Sequence, residues 1–132
     1  MKNIYILIVV FFYAIVCCSQ TQEKIDLVGT KWECKIGKDC VNVYKFITDT
    51  TFEFYSCEMK ETYYGDYYFE NNSLMIYEKG SYEQSDYYEQ KLFKVCIKDN
   101  YLKHISLSYM EKGKWVKSKF VFDDIYKYMK IK

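Results

Sequence analysis

The chain has 132 residues, enough for one domain and too few for two of ordinary size. Aromatic residues make up 20%, with sixteen tyrosines and nine phenylalanines, while proline is absent and glycine occurs five times, a composition that fits pleated, half-buried strands. A net charge of +1 from interspersed acids and bases, with one histidine in the chain, excludes a basic nucleic-acid face and a histidine-rich metal centre.

Met1-Lys2-Asn3 carries one positive charge, and Ile4 to Val16 has no charged residue. A basic start followed by a short apolar run has the form of an export signal, and it is shorter than the roughly 20 apolar residues that span a bilayer. The run ends in Ala14-Ile15-Val16-Cys17-Cys18-Ser19-Gln20, which resembles the bacterial lipoprotein signal. The resemblance implies a signal over residues 1–17 and lipid on Cys18, with Cys17 as the second choice. It places the protein at the cell envelope, at the outer membrane by preference. Ordinary export, to the periplasm or the medium, is the alternative. Residues 18–26 form a tether, and residues 27–132 form the folded domain, with Ile25, Leu27 and Val28 as a turn that plugs one end. Removal of Lys2 with the signal leaves eighteen basic against eighteen acidic residues, so no charged partner is steered to the domain.

From Gly29 onward short apolar runs alternate with turn signals. Trp32, Cys34 and Ile36 alternate with Lys31, Glu33 and Lys35, the period of a strand with one buried face. Further strands are predicted over Val41–Ile47, Thr51–Glu58, Thr62–Glu70 and Ser73–Glu78. The polar segment Lys79–Asp86 follows, as a lid or a plain loop. Three more strands cover Tyr87–Lys98, Tyr101–Met110 and Trp115–Phe122, and the tail Asp123–Lys132 is available as a ninth. The breaks carry Asp, Asn and Gly, residues that tolerate the turns of tight hairpins.

Eight consecutive strands with short links are best satisfied by an all-β, antiparallel up-and-down barrel. A sandwich is the runner-up, but it calls for longer crossovers. Alternation places Trp32, Cys34, Tyr44, Phe46, Phe52, Phe54, Tyr67, Phe69, Leu74, Ile76, Phe93, Val95, Ile97, Ile105, Leu107, Val116, Phe120 and Phe122 inside. At about 1.5–3 kcal/mol for each large apolar side chain buried, this interior holds a domain without metal or cofactor.

Four stretches, Gly29-Thr30-Lys31-Trp32, Asp49-Thr50-Thr51-Phe52-Glu53-Phe54, Tyr64-Gly65-Asp66-Tyr67 and Gly113-Lys114-Trp115-Val116, in this order and spacing resemble the lipocalins and the wider calycin group. The whole chain is similar to small lipocalin-like lipoproteins of Bacteroidetes. The resemblance spans residues 27–122 and implies an eight-stranded barrel that carries a small hydrophobic molecule. Two residues rather than one separate Gly29 from Trp32, and the ten residues after Phe122 leave no room for the helix that packs outside a lipocalin.

An exported domain matures where disulfides form. Among Cys34, Cys40 and Cys57, one bridge is expected near one barrel end, Cys40–Cys57 in preference to Cys34–Cys40, with Cys96 left as a thiol. Their spacings lack a close pair for zinc, and the base that a catalytic cysteine would need is missing nearby, because His104 lies on the predicted strand Tyr101–Met110, which carries no cysteine. His104 therefore reads as a packed or surface residue, Asp123-Asp124 as a solvated turn, and the chain as a non-enzyme without cofactor. In Tyr63-Tyr64, Tyr67-Tyr68 and Tyr87-Tyr88 one ring of each pair is expected inside and one at the surface, against the alternative of a sugar-binding face. The expected function is a monomeric, membrane-anchored binding protein for a small hydrophobic ligand, lined by Trp32, Tyr44, Phe54, Tyr67, Phe93 and Phe120. The alternative is a protein-interaction module, such as an enzyme inhibitor, with a filled barrel.

Overall fold

A computed structural model describes residues 25–132 apart from 85, 99 and 125. The signal, the lipid site at Cys18 or Cys17 and most of the tether lie outside the described residues. Nine strands run in chain order: β1 Lys31–Gly37, β2 Cys40–Phe46, β3 Thr51–Ser56, β4 Glu61–Glu70, β5 Ser73–Ser81, β6 Lys91–Lys98, β7 Tyr101–Glu111, β8 Lys114–Lys117 and β9 Lys127–Ile131. β1 to β7 pair antiparallel with their chain neighbours, and β9 enters between β7 and β1 to close an eight-stranded barrel. Two hairpins turn through paired left-handed residues, Asn71-Asn72 (φ 46° and 66°) and Lys112-Gly113 (φ 48° and 76°), the geometry that matches the strand twist in two-residue turns.

The closing strand is the tail, not the predicted Trp115–Phe122. β8 spans four residues, all exposed, and pairs with β7 outside the barrel. Its two lysines flank Trp115 and Val116, so neither of its faces is apolar enough to bury. Tyr128 of β9 is 2% exposed and sits opposite Leu102, which supplies the ring that the interior needs there. Val116 and Phe120, expected inside, are 45% and 54% exposed.

One end of the barrel is sealed. Leu27 is buried, while Ile25 and Val28 stay exposed. Gly29 (φ 74°) donates its N–H to the Phe46 carbonyl, and Thr30 donates N–H and Oγ1–H to the Leu27 carbonyl. Trp32 Nε1 donates to Thr30 Oγ1 at 2.8 Å. Behind this cap Trp32, Phe46, Phe52, Tyr67, Leu74 and Leu102 are the inner part of one buried cluster that continues through Tyr44 and Tyr128, with Phe54 and Phe93 packed against it.

Among the described residues three register shifts interrupt the pairing, one in β1–β2 between Lys35 and Gly37 and two that bear on the interior. In β6–β7 the register shifts between Lys94 and Val95, so that Phe93 faces Leu107 while Val95 faces His104. An extra residue in β7 thus turns both Leu107 and His104 inward and leaves Ile105 outside, half exposed, against the expectation for Ile105. Phe69 is also corrected: it lies at the rim and is 42% exposed.

The second shift falls between Tyr64 and Gly65 in β4–β5. A Cβ on Gly65 would stand 1.8 Å from the Tyr77 carbonyl oxygen, a backbone atom, whereas one on Gly80 would first meet the hydroxyl end of Tyr64 at 2.7 Å. Gly65→Ala is therefore expected to destabilise by roughly 1–3 kcal/mol through overpacking, and Gly80→Ala by less, because a side chain moves more easily than a paired strand. Urea midpoints of the two variants check this; equal losses would contradict it.

Candidate ligand site at the open end of the barrel

The end opposite Leu27 is framed by the turns after β1, β3 and β7 and by the 82–90 loop. β5 runs on to Ser81 and β6 starts at Lys91, so the connection is 82–90 rather than the predicted Lys79–Asp86. Cys40 and Cys57 form a disulfide here with a Cα–Cα distance of 5.3 Å, tying the start of β2 to the end of β3. The Cys57 N–H also donates to Asn42 Oδ1 at 2.9 Å. Cys34 is not in the bridge. It is 1% exposed on the inward face of β1, where burial raises its thiol pKa. Cys96 is a half-buried thiol on β6.

Above the sealed cluster the interior becomes a layer of rings. Tyr44 lies 4.5 Å from Phe54 and 4.9 Å from Tyr128, centroid to centroid. His104 meets Tyr44, Phe93, Phe122 and Tyr128 at 5.0–5.8 Å. Phe54 and Phe93 face inward by register, opposite Tyr63 and Leu107, and yet are only half buried. Phe54 and Phe93 thus keep partial solvent contact at this end, while Tyr44, His104 and Tyr128 beneath them are buried.

His104 is 6% exposed. Its Nε2 shares a 3.0 Å hydrogen bond with the Tyr44 hydroxyl, and its Nδ1 has no partner among the described residues. Burial alone pulls its pKa down to about 4, so the ring is neutral at pH 7. Burial likewise raises the Tyr44 and Tyr128 phenols. In either tautomer of His104 one ring nitrogen remains unsatisfied, which costs about 1–3 kcal/mol in a buried group.

Nearer the opening lies a charged cluster. Glu78, 3% exposed, accepts a hydrogen bond from the Tyr88 hydroxyl and faces the Lys91 ammonium at 3.8 Å. Burial raises the Glu78 pKa, opposed by Tyr88 and Lys91. Burial also raises Tyr63 and Tyr88, with nearby carboxylates adding to it. The loop is held by its own contacts: Glu83 Oε2 accepts from the Thr62 N–H at 2.8 Å, and Gln84 donates to Glu61 at 2.9 Å.

The residues predicted to line a ligand thus divide. Tyr44, Phe54 and Phe93 come together in the ring layer. Trp32 and Tyr67 lie in the sealed cluster, where the Tyr67 hydroxyl donates to the Thr48 carbonyl at 2.6 Å. Phe120 lies outside, and its neighbour Phe122, 5.0 Å away, is the ring stacked on His104. Of the tyrosine pairs, Tyr63, Tyr67 and Tyr88 turn inward, while Tyr64, Tyr68 and Tyr87 are 37%, 45% and 87% exposed. Glu78 and Lys91 were not foreseen. The signal was present, since Glu78 continues Leu74 and Ile76, and Lys91 leads Phe93 and Val95, at a spacing of two. Among the described residues no cluster of three His, Cys, Asp or Glu side chains forms a metal site. No family model, no curated protein and no solved structure matches the chain.

Proposed function

We propose that the protein is a lipocalin-like binding protein that takes a small, largely apolar molecule into the open end of its barrel, with one polar atom of that molecule meeting His104. One observation carries this reading: inward-facing rings at one end stay accessible to solvent above a buried imidazole nitrogen that has no partner among the described residues. Ligand sites combine an apolar wall with a few fixed polar groups in this way. Phe54, Phe93 and Phe122 are the wall, and the Tyr44–His104 pair is the polar floor. The lipoprotein-like start of the chain supports placing this barrel on a bacterial envelope membrane through lipid on Cys18, or Cys17, as a monomer.

The test is a titration with N-phenyl-1-naphthylamine, a neutral apolar dye that brightens on leaving water. Saturable one-to-one binding is expected. Phe54→Ala is expected to weaken it by about ten-fold, the loss of one aromatic wall contact, while Tyr68→Ala, on the outer face, leaves it unchanged. Absence of saturable binding, or equal effects of both variants, would favour a filled barrel that works through its outer surface.

A further inference from the structure

The cluster at the opening already holds a cation. The Lys91 Nζ lies 5.2 Å from the Tyr88 ring centroid, 5.8 Å from that of Tyr63 and 3.8 Å from Glu78 Oε1. Two tyrosine faces and a buried carboxylate around one ammonium are the elements with which proteins recognise amine ligands. Lys91 Nζ also donates to the Tyr88 hydroxyl at 3.3 Å, and the residue stands at the edge of the site. It is the first residue of β6, its side chain is 28% exposed, and its distance to Glu78 is at the long edge of an ion pair. Glu61 and Glu83, joined through the Ser81 hydroxyl at 3.4 and 3.1 Å, act together with Glu78 on the neighbouring Tyr63. A partly exposed lysine at the start of a strand, a buried carboxylate and further carboxylates acting on Tyr63 make this a place where a ligand's cation can stand.

Resting on the binding function proposed above, we infer that the ligand is an organic amine: an aromatic or apolar body against Phe54 and Phe93, and an ammonium that replaces that of Lys91 between Tyr63, Tyr88 and Glu78. Lys91 then acts as an internal stand-in that keeps Glu78 paired when no ligand is bound. No bond is made or broken; one ion pair is exchanged for another, and Lys91 regains water.

The experiment compares three probes of similar size and opposite charge type, namely 2-phenylethylamine, 2-phenylethanol and 3-phenylpropionate, by calorimetry at pH 7. The protein is used as its expression host processes it, with a matched blank. The amine is expected to bind about ten-fold tighter than the other two, the discrimination of a desolvated aromatic and carboxylate site for a cation. Glu78→Gln should remove that preference and leave the alcohol's affinity in place. Lys91→Met should strengthen amine binding, because the competing ammonium is gone. A preference for the propionate would overturn the inference and make Lys91 a reader of anions, and equal affinity for amine and alcohol would overturn it as well. If the neutral naphthylamine dye binds in the barrel but millimolar 2-phenylethylamine does not displace it, the binding function stands and the amine assignment falls. If the dye does not bind either, both fall. Loss of folding in Glu78→Gln leaves Lys91→Met as the deciding variant, and a weaker amine affinity there contradicts the inference.

Discussion

Replacing Trp32 by alanine is expected to cost about 3–5 kcal/mol, the range for truncating a buried tryptophan, out of a total of roughly 5–15 kcal/mol for a domain of this kind. Trp32 is 1% exposed and belongs to the buried cluster that includes Leu27, Phe46 and Phe52. Its indole N–H is spent on Thr30, which in turn holds the Leu27 carbonyl. It pairs with Tyr44 across β1–β2 and with Lys130 across β1–β9. Truncation therefore opens a cavity and loosens the cap next to the seam where the barrel closes. Trp32→Phe keeps most of the volume and should cost clearly less. Trp115, 37% exposed on β8, is the matched control, and its alanine variant should stay within about 0.5 kcal/mol. Urea unfolding of the three variants checks the order. A Trp115→Ala loss equal to that of Trp32→Ala would mean that the sealed end does not hold the fold.

The second large effect is a loss of stability in acid carried by His104. Its pKa falls from 6.5 to about 4 on folding because the charged ring is buried among Tyr44, Phe93, Phe122 and Tyr128. Between those values the unfolded chain binds a proton that the folded chain refuses. The His104 contribution is therefore fully present above pH 6.5 and is lost as pH falls toward 4, by an amount on the order of 3 kcal/mol. Glu78 acts in the opposite direction. Its raised folded pKa gives a contribution that is present below the unfolded carboxylate range and is lost as pH rises through the folded value. Unfolding free energies of the native chain and of His104→Phe, measured from pH 7 to 4.5, separate the two, because Glu78 is common to both. The native chain should lose stability relative to the variant as pH falls. Parallel curves would show that His104 is charged in the folded state.

The barrel was legible in the sequence because its ingredients are local. Asn71-Asn72 marked a two-residue turn and the turn formed. Trp32 and Cys34, Phe52 and Phe54, and Leu74 and Ile76 alternate cleanly, and all six face inward. Hairpin register favoured the Cys40–Cys57 bridge over Cys34–Cys40, and Cys40–Cys57 is the bridge that forms. What escaped the sequence depends on partners distant in the chain. β9 was obscured because Met129 and Ile131 are apolar yet exposed, while Lys130, two residues from the buried Tyr128, is charged and exposed, so its alternation runs against the usual sign. The β7 irregularity is invisible in Tyr101–Met110, because only pairing with β6 reveals the extra residue. That one residue moved His104 into the interior and Ile105 out. Glu78 and Lys91 were passed over because charge argued for the surface, although their spacing argued for the interior; each is tolerated there because the other is close.

His104 is the chain's one histidine, so its two ring nitrogens can be followed without ambiguity. The most direct measurement is a long-range proton–nitrogen spectrum of that ring at pH 7 during titration with N-phenyl-1-naphthylamine. Binding above the ring layer predicts that the Nδ1 signal moves to saturation with the dye fluorescence, while Nε2 keeps the character of its hydrogen bond to Tyr44. Saturating fluorescence with both nitrogen signals unmoved would place the dye elsewhere and contradict the open end of the barrel as the binding site.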